Sequence, residues 1–382
     1  MTAAPQQRHP HRDGTPAVRC EPFAELPDGT PVERWTLEVP GGSGPTAAAS
    51  VLTLGATLHT LDAPDRQGGL RNVVLGSTDL AALLGPARHF GATVGRCANR
   101  IAGSAFTLDG VTHRLAPTGG GVTLHGGPDG FAQRIWHAEA VHAADRAGVR
   151  LTLHSPDGDQ GFPGALDVTV SYTLGVDGAL TVDYRAAVAD RATVVNLTNH
   201  AYFNLAGEGA GDVLGHELTV DADHYTPVDE RMIPLGPYEP VAGTPMDFTS
   251  ARRVGDRIHE DHPQLRRPRG YDHNWVLRPR PADGSPSRAA LLHDPASGRT
   301  LEVLTTEPGI QVYTANQFDG VVTGPSGTAY GPYSGIALET QHHPDSPNRP
   351  QYPSTVLRPG EEYRSTTVFR MGVGPGAGAA QG

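Results

Sequence analysis

Apolar side chains recur at every second position through a series of short runs, and turn residues end each run before a helix could propagate. Trp35 to Val39, Ala49 to Leu54, Val149 to His154, Leu166 to Leu174 and Leu180 to Ala186 all have this form. In extended chain alternate side chains share a face, so these runs predict strands with one apolar side. Helical spacing is nearly absent apart from a short turn at Asp79 to Leu84. Hairpins are written out: Phe106 to Leu108, Asp109-Gly110, then Val111 to Leu115 reads strand, tight turn, strand. Ser171 to Tyr184 and Leu291 to Val303 read as two further hairpins with longer loops. Many short strands without strand–helix alternation predict an all-β fold, a large antiparallel β-sandwich. No internal repeat of fixed period is visible.

The pattern frays at both ends. Residues 1–19 are polar and rich in Pro, His and Arg, and 373–382 form a Gly/Ala tail. Neither can bury enough apolar surface to offset the entropy of ordering, so both are expected to be disordered around one domain spanning 20–372. The N-terminus has no apolar core of a secretory signal, and no run of ~18 apolar residues that could cross a membrane occurs. A cytoplasmic protein without membrane partners is the expectation. Formal net charge is -11, from 41 acidic and 30 basic residues, which repels phosphate backbones and argues against nucleic acid. The two cysteines, Cys20 and Cys97, are too few for a disulfide framework, and Cys20 falls beside the expected tail.

The chemistry sits on the polar faces of the strands. If Val194 to Leu205 is one extended segment, Asn196, Thr198, His200, Tyr202 and Asn204 line one side. Glu339 and Gln341 share a face, as do Gln311 and Tyr313, and as do Asp272 and Asn274. Such faces are commonly just the wet side of a half-buried sheet. These carry imidazole, carboxamide, phenol and carboxylate groups instead of the long charged side chains of a solvated face. Short, orientable donors and acceptors suit the hydroxyls of a sugar. Three loops add polar groups: Gly95 to Ile101 with Asn99, Arg96 and Arg100; Leu124 to Pro128 with His125; and the turn cluster Asp157 to Gly164.

No cofactor motif accompanies them. The chain lacks a nucleophile elbow, a phosphate-binding loop, a dinucleotide fingerprint and a metal-binding helix. The neighbours His342 and His343 would point to opposite faces of a strand and could not easily share one ion. No metal and no cofactor are expected.

The blocks Gly95-Arg-Cys-Ala-Asn-Arg-Ile-Ala, Leu124-His-Gly-Gly-Pro, Asp157 to Gly164, Asn196-Leu-Thr-Asn-His-Ala-Tyr-Phe-Asn-Leu-Ala-Gly, Gly270-Tyr-Asp-His-Asn, Pro308-Gly-Ile-Gln and Leu338-Glu-Thr-Gln-His resemble, in order, those of the aldose 1-epimerase family. The resemblance runs from about residue 90 to residue 353. It implies a galactose mutarotase-like supersandwich that interconverts the α and β anomers of free aldohexoses such as glucose and galactose. It implies His200 as general acid and Glu339 as general base, with Asn99, Arg100, His125, Tyr202, Asp272 and Gln311 holding the sugar. It implies no cofactor, and a monomer or weak homodimer. Cys97 and Ala201 depart from the family pattern, which commonly has a larger residue at the first position and a hydroxyl residue at the second.

Ring opening needs a base at the C1 hydroxyl and an acid at the ring oxygen. Unperturbed, a carboxylate and an imidazolium coexist between about pH 4.3 and 6.5. A carboxylate such as Asp272 near His200 would extend that window upward. Three rival readings are a sugar-phosphate epimerase, for which Arg96 and Arg100 could serve, a non-catalytic carbohydrate-binding protein, and a retaining glycosidase using Asp272 and Glu339.

Overall fold

The computed structural model describes residues 15–40 and 47–374, so most of the expected tails lies outside the described residues. Every strand ladder is antiparallel, and three sheets carry the fold. The largest has nine strands, running from His137–Ala143 at one edge through Leu166–Gly175 and Tyr363–Val373 to Arg252–Arg253 at the other. A five-stranded sheet comprises Ala17–Glu25, Pro31–Val39, Ala47–Leu52, Thr57–Pro64 and Leu70–Asn72. The third sheet is ordered Tyr202–Phe203, Ile336–Gln341, Gly309–Tyr313, Asp272–Leu277, Ala222–Thr226, Glu239–Pro240.

The alternating runs form these sheets as their pattern requires. Val168, Val170 and Tyr172 on one long strand, Leu180, Val182 and Tyr184 on the next, and Val303 and Phe369 are buried. They join one core with Leu37, Val51 and Leu61 of the five-stranded sheet and Trp275, Ile310, Val312, Ile336 and Leu338 of the six-stranded sheet. Each such side chain contributes about 1.5–3 kcal/mol by leaving water. The written hairpins are present at Ala105–Leu108 with Val111–Arg114, and at Leu166–Gly175 with Ala179–Val188. The expected turn near Asp79 is a helix over Leu80–Leu84, with the Asp79 side chain accepting from the Ala81 amide as its N-cap.

Order begins earlier than the composition suggests. Ala17–Glu25 is a strand, so residues 17–19 and Cys20 lie in a sheet and not in a tail. The strand is an edge with little burial; main-chain pairing to Pro31–Val39 holds it, and that leaves no apolar alternation to read. Cys20 is exposed and Cys97 is buried, and both are free thiols. Among the described residues no helix is long and apolar enough to cross a membrane.

Candidate active site

The six-stranded sheet has two unlike faces. Ile310, Val312, Ile336 and Leu338 enter the core from one. On the other, Asn274 lies opposite Gln311, which lies opposite Glu339, while Asp272 is opposite Tyr313. Tyr202 continues this row from the next strand, opposite Ala337. This face is not the wet side of a sheet: Asn274, Gln311, Glu339 and Gln341 are each 3 % exposed or less. Several of their polar atoms, Asn274 Oδ1, Gln311 Oε1, Glu339 Oε2 and both ends of Gln341, have no protein partner. Buried polar groups left unmatched in this way are costly unless a ligand or water satisfies them.

The segment carrying His200 differs from the single extended run the sequence suggests. It breaks into Thr193–Val194, Thr198–Asn199 and Tyr202–Phe203. Its carboxamides therefore do not share the face of His200 and Tyr202 as ligand groups. Asn199 donates to the Gly91 carbonyl at 2.7 Å and accepts from the Ala201 amide at 3.0 Å. Asn204 donates to the carbonyls of Gly211 and Ser334, both at 3.0 Å. Short side-chain amides compete for nearby backbone groups, and here that competition interrupts the strand. His200 itself is fixed through its main chain, its N–H donating to Ala92 O and its carbonyl accepting from Gly91 N–H, each at 2.9 Å. Gly91 has φ +68° and a Cβ there would sit 2.0 Å from the Leu58 carbonyl oxygen, so only glycine fits.

All eight residues nominated from the sequence lie in one connected cluster. His200 Nε2 is 3.6 Å from Glu339 Oε1, both side chains buried. The His125 ring meets His200 edge-on, centroids 5.1 Å apart, and the Tyr202 ring lies 5.0 Å from His200 on another side. Gln311 donates to Asp272 Oδ1 at 2.7 Å, and Arg100 faces Asp272 Oδ2 at 3.9 Å. The Asn99 amide N–H donates to His125 Nδ1 at 3.3 Å. That bond puts the proton of neutral His125 on Nε2, making the ring a donor there. Asn99 and His125 both hold left-handed backbone, φ +59° and +53°, a strain that non-glycine residues keep mainly at functional sites. The loop behind His125 is packed to the limit, since a Cβ on Gly126 would sit 1.9 Å from the Gly95 carbonyl oxygen.

Four residues here were not nominated. His89 stacks on His200 at 6.0 Å between centroids and lies 4.8 Å from His125. Phe90, Phe318 and Tyr313 surround Tyr202, with centroids 4.9, 5.0 and 5.9 Å away. Tyr313 was within reach, two residues from Gln311 on the same face. His89, Phe90 and Phe318 stand on loops, where no period marks them.

Burial governs the ionisation. It lowers His200 to about 4 and His89 to about 3, and takes His125 well below its ordinary value. It pushes Glu339 well up, Asp272 adds to the rise, and Arg100 opposes it. Asp272, expected from the sequence to sustain the His200 imidazolium, thus acts on Glu339 instead, and burial takes His200 the other way. Burial therefore favours the uncharged form of each, imidazole at His200 and carboxylic acid at Glu339.

Two rival roles are opposed by the bonding of the residues they need. Arg96, open in sequence to a phosphate, is buried and donates to the carbonyls of Ser155, Pro156, Pro163 and Gly164 and to two hydroxyls. It ties down the Asp157 to Gly164 turn from beneath. His125, His200 and Glu339 have ligand atoms within 4.8 Å of one another, the one such trio among the described residues. His125, with Nδ1 accepting from the Asn99 N–H, offers a proton at Nε2 instead of a lone pair. The trio is a poor fit to a metal. His342 and His343 do diverge, the first pairing with Glu307 at 2.6 Å and the second with Asn274 at 3.0 Å.

Residues 42–370 match the aldose 1-epimerase family. The chain belongs to it. It is 42% identical over 352 residues to a galactose mutarotase of Sus scrofa, covering 92% of this chain and 97% of that one. It is equally 42% identical, over 351 residues, to an aldose 1-epimerase of Escherichia coli K12, with 91% and 97% covered. Among solved structures, a galactose 1-epimerase from Lactobacillus acidophilus superposes with a TM-score of 0.81 at 29% identity, covering 94% of this chain and 99% of that one. The supersandwich expected from the sequence is the fold of this family.

Proposed function

We propose that His200 and Glu339, as acid and base, carry out the interconversion of sugar anomers characteristic of this family, and that the substrate is a free aldohexose such as glucose or galactose. The observation that carries the reading is a buried imidazole and a buried carboxyl 3.6 Å apart at the centre of an otherwise polar, enclosed face. A hemiacetal lies across such a pair with its C1 hydroxyl on one group and its ring oxygen on the other.

Burial favours the proton on Glu339 in the free site, and in the working arrangement it has passed to His200. Glu339 takes the proton from O1 as the C1–O5 bond breaks and His200 gives its proton to O5, leaving an open-chain aldehyde. Rotation about C1–C2 presents the other carbonyl face. Closure returns the O5 proton to His200 and the Glu339 proton to O1, so the enzyme ends as it began. Each group acts within about 2.6–3.2 Å of its proton and supplies about 10²–10⁴ in rate. Arg100, which opposes the rise in Glu339, favours the ionised base. His125 donates from Nε2 to a sugar hydroxyl. Asp272 and Gln311, already bonded to each other, and Asn99 take further hydroxyls, while Tyr202 with its aromatic neighbours meets the C–H face of the ring.

Arg100 facing Asp272 and Arg96 spent on backbone carbonyls disfavour a phosphorylated substrate. The test is polarimetry of freshly dissolved α-D-glucose and α-D-galactose with wild type and Glu339→Gln. Wild type should accelerate relaxation, and the variant should lose about 10²–10⁴ of that acceleration while still binding sugar. Full activity in the variant would remove Glu339 as the base, and no acceleration by wild type would remove the substrate assignment.

A further inference from the structure

The proposed acid and base stand on different segments, which pair as strands where Tyr202 lies opposite Ala337 and are joined again by one buried side chain. Asn196, four residues before His200, accepts at Oδ1 from the His342 N–H at 2.9 Å and donates from Nδ2 to the His342 carbonyl at 3.2 Å. His342 is three residues after Glu339. The same Asn196 bonds through its main chain to a third segment: its N–H donates to Arg96 O at 3.0 Å, and its carbonyl accepts from Ala98 N–H at 2.8 Å. That segment leads directly into Asn99 and Arg100. Asn196 is 1 % exposed, so water competes little for its own polar atoms.

A second bridge runs alongside. The His342 ring pairs with Glu307 Oε2 at 2.6 Å, and the Tyr363 hydroxyl donates to Glu307 Oε1 at 3.2 Å. The Leu197 N–H donates in turn to the Tyr363 oxygen at 3.3 Å. The residue beside Asn196 is thus tied to the residue that Asn196 clasps. Burial works to raise the Glu307 carboxyl, but His342 and Tyr363 outweigh it and hold it below its ordinary value, so it stays an acceptor.

We infer that Asn196 is a positioning residue, whose two-pronged clasp on His342, buttressed by Glu307, sets the separation and aim of His200 and Glu339. The inference rests on the acid and base reading above. A valine or threonine would fill the space, but only a carboxamide presents an acceptor and a donor to the N–H and C=O of one residue. Reacting groups misplaced by about 1 Å lose on the order of 10²-fold in rate. Sugar-holding groups on other segments are spared, so the loss falls on kcat and not on KM.

The experiment is a double-mutant cycle by polarimetry with Asn196→Ala, Glu339→Gln and their combination, at a temperature where each is folded by circular dichroism. Asn196→Ser, smaller and still polar, replaces Asn196→Ala if the latter does not fold. The expected result is a 10- to 100-fold fall in kcat for Asn196→Ala with KM within about threefold, and little further loss when it is added to Glu339→Gln. An unchanged kcat in folded Asn196→Ala overturns the clasp, as does an equal loss in the Glu339→Gln background, since Asn196 would then act elsewhere. A Glu339→Gln enzyme as active as wild type overturns the base assignment itself, and the clasp with it.

Discussion

Arg96 separates a buried structural role from a ligand role more sharply than any other position. Its guanidinium makes six hydrogen bonds, four of them to main-chain carbonyls of Ser155, Pro156, Pro163 and Gly164, at 2.7–3.1 Å. Phe162 lies 5.8 Å beneath it. Burial lowers this arginine to about 10, which still leaves it charged at neutral pH. Arg96→Met keeps most of the aliphatic volume and removes every donor. A buried acceptor left unmatched costs about 1–3 kcal/mol. The Pro156 carbonyl is only part-buried and takes water in exchange. The Ser155, Pro163 and Gly164 carbonyls remain, for a loss of roughly 3–9 kcal/mol, a large share of the ~5–15 kcal/mol that holds a domain together. Urea unfolding followed by tryptophan fluorescence measures this. Polarimetry on the fraction still folded should give a KM within about twofold of wild type. A variant as stable as wild type with KM raised more than tenfold would refute the argument, because it would place Arg96 on the substrate.

Two further outcomes follow from the site. The His200 and Glu339 pair works with one proton, so kcat should fall on the acid side with an apparent pKa near the His200 value of about 4, where the pair takes a second proton. The alkaline limb marks loss of the last proton; because the Asp272 charge helps to hold that proton, Asp272→Asn should move this limb to lower pH at saturating sugar, and an unmoved limb would contradict the coupling. We extend the sugar-holding set to His89 on its place between His125 and His200: His89→Phe keeps a ring against His200 and removes two nitrogens, so KM should rise about 2–12-fold, the worth of one hydrogen bond, with kcat within twofold. An unchanged KM by initial-rate polarimetry would reduce His89 to a packing residue.

What the sequence shows of this protein depends on whether the force involved has a local period. The long strands Leu166–Gly175 and Ala179–Val188 were legible because each buries alternate residues against a core. Ala17–Glu25 buries almost nothing and is held by backbone pairing, so its first residues, 17–19, read as the end of a tail. The polar row of Asp272, Gln311 and Glu339 was visible as alternation, but alternation alone cannot tell a wet face from a roofed one. The roof comes from elsewhere: His89 and Phe90 from the loop after the Leu80–Leu84 helix, His125 from a glycine-rich turn, and Phe318 from a loop beyond the 309–313 strand. Enclosure decides the chemistry, because it is burial that brings His200 down and Glu339 up. The same long-range logic explains why Asn196 read as one more ligand on the face of His200. In an unbroken strand it would be one; the chain leaves strand between Val194 and Thr198, and Asn196 there meets His342, where its amide joins two segments that lie 146 residues apart.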